Sequence, residues 1–228
     1  MPRTARIIVP GLAHHVTQRG NYRQNVFEAD RDRRVYLDLL RAGADRHDVR
    51  IWAWCLMENH VHLIAVPGAA DSLARALSYA QSRYARWVHM KRGRMGHLWQ
   101  CRYFSSPLDD AHLWAALRYV ELNPVRAGIV KFPEDYRWSS AAHHVLGHHC
   151  RMVDPGCPVT AFEKDWKAFL AGAEDEREIE RLRRATSSGK VAGSDEFIES
   201  LEVRLGRKDL RWRPQGRQSE RTIPACPL

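Results

Sequence analysis

The chain has 228 residues, of which 44% are hydrophobic, and its formal net charge is +9 at pH 7. This length suits one domain with an extension or two small domains, and no apolar run approaches the length of a membrane span. The first ten residues lack the apolar stretch of a secretory signal and the five cysteines are not closely paired, so we predict a cytoplasmic protein without a disulfide framework.

Alternating and periodic apolar residues predict strands and helices in the first half of the chain. In chain order they are a strand at 11–20, a helix at 28–48, strands at 50–58 and 60–66, a helix at 71–90, a strand at 98–108 and a helix at 109–123. Pro124 disfavours helical geometry at Asn123, so we expect the last helix to end there. The βαββαβ order predicts an α+β fold of the ferredoxin-like type, in which an antiparallel sheet carries helices on one face.

The composition changes after residue 130. Residues 1–130 are predicted to form one domain and 131–205 a mostly helical extension, whereas 206–228 contain little that could pack and are predicted to be a flexible basic tail.

Positive charge is concentrated in two segments of the chain. Residues 1–27 contain four arginines and no acid, and residues 72–108 contain six arginines, one lysine and no acid. Segregated positive charge favours a polyanionic partner, because phosphate contacts release condensed counterions. The alternative is a basic face that serves only solubility.

Two histidines stand one residue apart in the stretch "MENHVHLIAV", which is predicted to be a strand. Side chains of a strand alternate between its faces, so His60 and His62 lie on the same face. Neutral imidazoles at this spacing can bind one divalent ion and leave positions open for further ligands. The same pattern is also compatible with two polar residues on a solvated face.

A tyrosine and an asparagine lie one helical turn apart in "RYVELNPVRAG". Tyr119 is a potential nucleophile towards phosphorus, and Asn123, on the same side of the helix, could supply an oxygen ligand to a cation. Spacing alone equally allows Tyr119 to be a core residue and Asn123 to be a helix-end residue.

Several motifs in a fixed order give a more specific indication. "ENHVHLI", followed about sixty residues later by "RYVELNPVRAG", resembles the HUH single-tyrosine transposases, and in particular the REP-associated tyrosine transposases of bacteria. "HHVTQRGN", "GHLWQCRY" and "YRWSS" also match, and together the motifs span roughly residues 7–145.

The resemblance implies catalysis by Tyr119, His60 and His62, with His60, His62 and Asn123 as ligands of Mg²⁺ or Mn²⁺. It implies cleavage and rejoining of single-stranded or hairpin DNA at REP-type repeats through a 5′-phosphotyrosine intermediate, in the nucleoid of a bacterial cell. It leaves monomer and homodimer open. Many members of the wider family have Gln at the position of Asn123.

The two basic segments and the family resemblance together predict residues that contact DNA, through guanidinium groups on phosphates and an indole on an unpaired base. These residues are Arg19, Arg23, Arg83, Arg86, Lys91, Arg92, Arg94, Trp99 and Arg102. Each arginine could also be an ordinary surface residue, and Trp99 could be a core residue.

Alternative functions differ in the motifs that they require. A histidine-triad hydrolase requires a third histidine where Ile64 stands, and an RNA-binding module of the same outline would carry an aromatic-rich strand that this chain lacks. A non-catalytic DNA-binding protein and a replication or conjugation nickase of the HUH type stay open. A zinc module built on "HHVLGHHC" with Cys157 is disfavoured, because such clusters are usually solvated loops.

Overall fold

A computed structural model describes residues 5–93, 95–159 and 165–212 of the protein. The strands are β1 (His14–Arg19), β2 (Val49–Leu56), β3 (His60–Pro67) and β4 (Phe104–Pro107). The helices are α1 (Asp30–Arg46), α2 (Ser72–Arg92), α3 (Asp110–Glu121), α4 (Asn123–Arg126), α5 (Ala141–Leu146), α6 (Trp166–Ala171), α7 (Glu176–Ser188) and α8 (Asp195–Leu205), with short 3₁₀ turns at Asn21–Arg23 and Pro133–Asp135. In the described part of the chain, no helix has the length and apolar character needed to cross a membrane.

The strands form one antiparallel sheet in the order β2-β3-β1-β4. This order and the βαββαβ succession of β1 to β4 with α1 and α2 confirm the predicted ferredoxin-like fold. In the register of β1 and β3, Thr17 lies opposite His62 and Arg19 opposite His60. Because side chains alternate along each strand, His15, Thr17 and Arg19 share a face of the sheet with the two histidines of β3.

Both faces of the sheet are covered. Helices α1 and α2 pack against each other and against β2, whereas α3 packs against β2 and β3. Val61 and Leu63 are as buried as His62 between them, so β3 lies between two layers. The apolar residues of β3 lie on one face of the sheet and its histidines on the other, but the histidine face is not a solvated face.

Two local predictions were wrong. The strand expected at 98–108 is limited to Phe104–Pro107, because Leu98 and Trp99 pack into the core and the side chain of Gln18 donates a hydrogen bond to the Cys101 carbonyl at 2.9 Å. Helix α3 ends at Glu121, close to the predicted end at Asn123, but Asn123 itself is helical, because Pro124 lies in the first turn of α4, where a missing N–H costs no hydrogen bond.

The extension covers both edges of the sheet. Leu56 donates its backbone N–H to the Trp138 carbonyl beside β2, and Ala192 donates its N–H to the Pro107 carbonyl beside β4. These contacts satisfy backbone groups that an edge strand would otherwise expose. Most buried apolar residues of the extension between Tyr136 and Ala192 belong to the same hydrophobic core as the sheet.

The first residues of the predicted tail are packed. Leu210 is fully buried in a second, smaller apolar cluster with Ile7 and Val9 near the start of the chain and Leu201 of α8. The prediction that the tail begins at residue 206 was therefore wrong, because Leu210 supplies an apolar anchor. Residues 213–228 lie outside the described part of the chain.

Candidate active site

Helix α3 brings Tyr119 onto the histidine-bearing face of the sheet. The Tyr119 ring makes edge-on contacts with His62 and His15, at 5.5 and 5.6 Å between ring centroids. All three residues, together with His60, line one open cavity of about 370 Å³. The other lining residues are Thr17, Gln18, Arg19, Gln100, Phe104, Glu180, Arg183, Arg184, Thr186 and Ser187.

The imidazoles of the site are neutral at physiological pH. Burial and the nearby Arg19 lower the pKa of His60 to about 4, and burial together with His60 and His15 lowers the pKa of His62 well below its ordinary value. The Nδ1 atom of His60 lies 2.6 Å from Asn59 Oδ1, and the Nδ1 atom of His62 lies 3.0 Å from His15 Nε2. Each Nδ1 therefore has a partner within the protein, which leaves Nε2 as the nitrogen available to a ligand.

Two arginines surround Tyr119. Arg183 of α7 donates a hydrogen bond from Nε to the phenolic oxygen at 3.3 Å. The guanidinium of Arg126 lies 4.3 Å from the centre of the tyrosine ring, donates to the Tyr119 carbonyl, and pairs with Glu174 at 2.7 Å. Arg183 therefore places positive charge beside the phenolic oxygen, whereas the charge of Arg126 is balanced by Glu174.

A buried polar cluster fixes the helix that carries the tyrosine. Glu121 is fully buried, and its carboxylate accepts hydrogen bonds from Ser140 Oγ at 2.5 Å, His144 Nδ1 at 2.6 Å and Trp166 Nε1 at 2.7 Å. Burial alone would lower the pKa of His144, but the Glu121 carboxylate and Cys157 raise it to about 10. His144 and Glu121 therefore form an enclosed ion pair that ties α3 to α5, while Trp166 ties α3 to α6.

Comparison with known proteins identifies the family. The family profile described as "Transposase IS200 like" matches residues 8–123, just over half of the chain. The chain belongs to the IS200-like transposase family.

The chain is similar to two REP-associated tyrosine transposases, which confirms the resemblance seen in the sequence. A "Putative REP-associated tyrosine transposase" of Haemophilus influenzae is 27% identical over 99 residues, covering 39% of this chain and 56% of the relative. The chain thus matches about half the length of that curated relative. A solved REP-associated tyrosine transposase bound to a REP hairpin superposes with a TM-score of 0.54 at 18% identity, over 69% of this chain and 96% of that one, and supports the fold.

The structure brings together three of the four predicted catalytic and ligand residues. His60, His62 and Tyr119 line the cavity, whereas Asn123 does not. The amide of Asn123 donates to the Tyr119 carbonyl at 2.9 Å, so its side chain lies along the backbone of α3. A ligand role for Asn123 stays a prediction that requires its side chain to rotate. Among the described residues, no three His, Cys, Asp or Glu side chains are arranged to hold a metal ion.

The residues predicted to contact DNA occupy different environments. Arg19 lines the cavity, and Arg23, Arg83, Arg86 and Arg102 are exposed.

The remaining four residues of the predicted DNA-contact set have other partners or lie outside the described residues. Lys91 pairs with the buried Asp32 at 2.8 Å, and Arg92 pairs with Glu28 at 2.9 Å. Trp99 is half-buried and donates from Nε1 to the Gln81 carbonyl at 3.3 Å, beside the rings of the core. Arg94 lies outside the described residues.

Sequence reasoning missed the contribution of the extension to the site. Arg183 and Thr186 of α7 and His15 of β1 were not predicted as site residues, although all three line the cavity. The adjacent histidines in "HHVTQRG" were a usable signal for His15, since it shares the strand face of Arg19. No signal in the sequence linked α7 to the cavity, because that contact depends on how the extension folds back.

Proposed function

We propose that this protein cleaves and rejoins single-stranded DNA, with Tyr119 as the nucleophile and with His60 and His62 as ligands of Mg²⁺ or Mn²⁺. The observation that carries the proposal is the edge-on contact between Tyr119 and His62 in a cavity that also contains His60. No other tyrosine of the described chain lines that cavity.

The donor set fits such an ion. Two neutral imidazoles present Nε2 while their Nδ1 atoms are held by other side chains, which is the usual arrangement around a metal-binding histidine. Two protein nitrogens leave positions for water and for phosphate oxygens. When bound, the ion would withdraw charge from the non-bridging oxygens of the scissile phosphate.

The residues of the chain then account for the phosphoryl transfer. The phenolic oxygen of Tyr119 bonds to phosphorus as its proton passes to solvent, and the bond from phosphorus to the 3′-oxygen breaks. That oxygen takes up a proton and departs as a 3′-hydroxyl, while the 5′-phosphate stays on the tyrosine. Arg183 stabilises the phenolic oxygen while it carries negative charge, in the attack and in its reversal.

The proposed substrate is a hairpin of the REP type with an unpaired segment at the cleavage point. A structurally similar transposase was solved bound to a REP hairpin. Around the cavity of the present protein, Arg19 and Arg183 supply positive charge for a phosphate backbone, whereas Arg184 pairs with Glu180 at 2.8 Å. The proposed catalytic residues His60, His62 and Tyr119 line an open site rather than a closed pocket.

The test is covalent attachment to a labelled single-stranded REP hairpin, detected as a denaturation-resistant band. Tyr119→Phe should abolish the band while hairpin binding persists. Tyr79→Phe is the matched control, because Tyr79 lies on α2 outside the cavity, and it should form the adduct normally. A persistent adduct in Tyr119→Phe would remove the nucleophile assignment.

The metal role has its own test in the same assay. Excess chelator should stop adduct formation, and His60→Ala and His62→Ala should slow it in a manner that added Mn²⁺ partly relieves. Adduct formation that is unaffected by chelator would contradict the metal role. Binding without any adduct, in the wild type with Mn²⁺ present, would instead favour a non-catalytic DNA-binding protein.

A further inference from the structure

A line of three hydrogen-bonded side chains joins the C-terminal extension to His62. Thr186 Oγ1 of α7 lies 2.8 Å from His15 Nδ1 of β1, and His15 Nε2 lies 3.0 Å from His62 Nδ1 of β3. The three residues are 2%, 1% and 6% exposed, and the two imidazole planes are nearly parallel, with 6° between them. The three side chains are therefore almost entirely buried behind the surface of the open cavity.

One direction of hydrogen bonding along this line suits metal binding. If His62 carries its proton on Nδ1, it donates to His15 Nε2, and His15 then carries its own proton on Nδ1 and donates to the Thr186 hydroxyl. His62 Nε2 is left without a proton and free to ligate an ion. In the opposite direction His62 Nε2 holds the proton and cannot ligate.

The neighbouring histidine shows what a purely structural imidazole looks like in this strand. His14, on the opposite face of β1, is fully buried, with Nδ1 2.9 Å from the Leu12 carbonyl and Nε2 accepting the Val9 N–H at 3.2 Å. Both of its ring nitrogens therefore form hydrogen bonds with backbone groups. His15 instead bonds to side chains at both nitrogens, and one of them is a proposed metal ligand.

We propose that His15 and Thr186 are positioning residues of the active site, which hold His62 in the tautomer and orientation that present Nε2 to a divalent cation. The inference rests on the proposed function, since it assumes that His62 is a ligand. It makes α7 part of the catalytic site rather than an accessory cover. Docking of a helix more than a hundred residues downstream of His62 is then coupled to metal affinity.

The test measures Mn²⁺ affinity of the full chain directly, by the electron paramagnetic resonance signal of free Mn²⁺. Thr186→Val keeps the shape of the side chain but removes the hydroxyl, and it should weaken binding by about 10- to 100-fold, the usual cost of losing such a partner. Thr186→Ser keeps the hydroxyl and should bind close to the wild type. His15→Phe should weaken binding at least as much as Thr186→Val.

Controls separate this inference from loss of fold and from failure of the proposed function. His14→Gln should lower the thermal midpoint without changing Mn²⁺ affinity. If the wild type binds Mn²⁺ and His62→Ala abolishes binding, but folded Thr186→Val binds like the wild type, the positioning role is refuted while the proposed metal site stands. Faster DNA cleavage by Thr186→Val at unchanged affinity would likewise refute it. If His62→Ala leaves binding unchanged, the proposed ligand itself fails, and the inference fails with it.

Discussion

Replacing His144 by leucine tests the buried ion pair behind the tyrosine helix. In the wild type the side chains of Glu121 and His144 are fully enclosed, and 2.6 Å separates the carboxylate oxygen from Nδ1. His144→Leu leaves the carboxylate in the core with only two hydrogen-bond donors, Ser140 and Trp166. Removing one partner of a buried pair costs about 3–5 kcal/mol, because an uncompensated charge remains. For a chain of this size that corresponds to a fall in the midpoint of thermal unfolding of roughly 6–20 °C.

The pH dependence of stability gives this prediction a second signature. The pKa of His144 is about 10 in the folded protein and 6.5 as a reference, so the pair's contribution is complete below pH 6.5 and is lost as the pH rises towards 10. We expect the free energy of unfolding of the wild type to fall across this range and that of His144→Leu to fall less. Cys157, whose Sγ lies 3.7 Å from Nε2, faces the same ring, so the comparison is repeated in a Cys157→Ala background.

Urea unfolding at several pH values between 6.5 and 9.5, followed by circular dichroism, measures both quantities. His143→Leu is the matched control, since His143 lies beside His144 but bonds to the backbone carbonyl of His148. The double variant Glu121→Gln/His144→Leu should recover much of the lost stability, because it removes the uncompensated charge. Equal stability of His144→Leu and the wild type at neutral pH, or an unchanged slope with pH, would refute the reasoning.

Three further predictions concern the site and its surface. Arg183→Gln removes the charged donor that bonds to the phenolic oxygen of Tyr119, and it should slow adduct formation about 10- to 100-fold in single-turnover kinetics. An unchanged or faster rate would show that this hydrogen bond does not contribute to the reaction. Asn123→Ala loses a hydrogen bond to a helix carbonyl and should cost about 1 kcal/mol in urea unfolding. If Asn123 is a ligand as predicted, the variant should also bind Mn²⁺ more weakly, and an unchanged affinity would contradict the ligand role. Arg86→Ala should lower the slope of log binding constant against log salt concentration, measured with the hairpin, by about one unit and leave stability unchanged. Lys91→Ala should instead destabilise the fold, because the buried carboxylate of Asp32 loses its ion-pair partner. The reverse pattern would contradict the environments assigned to the two residues.

The sequence by itself determined the elements that local patterns specify. Apolar residues recur with a period of two in β1 and β3 and with the helical period in α1, α2 and α3. These are local patterns, so the βαββαβ order could be predicted without coordinates. The same alternation places His60 and His62 on one face. The order of the motifs then indicated the family, since the combination is specific where each motif is not.

Only the tertiary structure decided which residues meet across long separations. The helix of Tyr119 covers the histidine face because β2, β3 and α3 pack together, and α7 reaches the cavity because the extension folds back along β4 and α3. Local patterns therefore could not predict that Thr186 and Arg183 line the cavity or that His144 pairs with Glu121. Strands and helices depend on the spacing of residues that are close in the chain, so the sequence predicted them. Long-range contacts depend on the shape of the assembled core, so the sequence did not predict which residues of distant elements line the cavity.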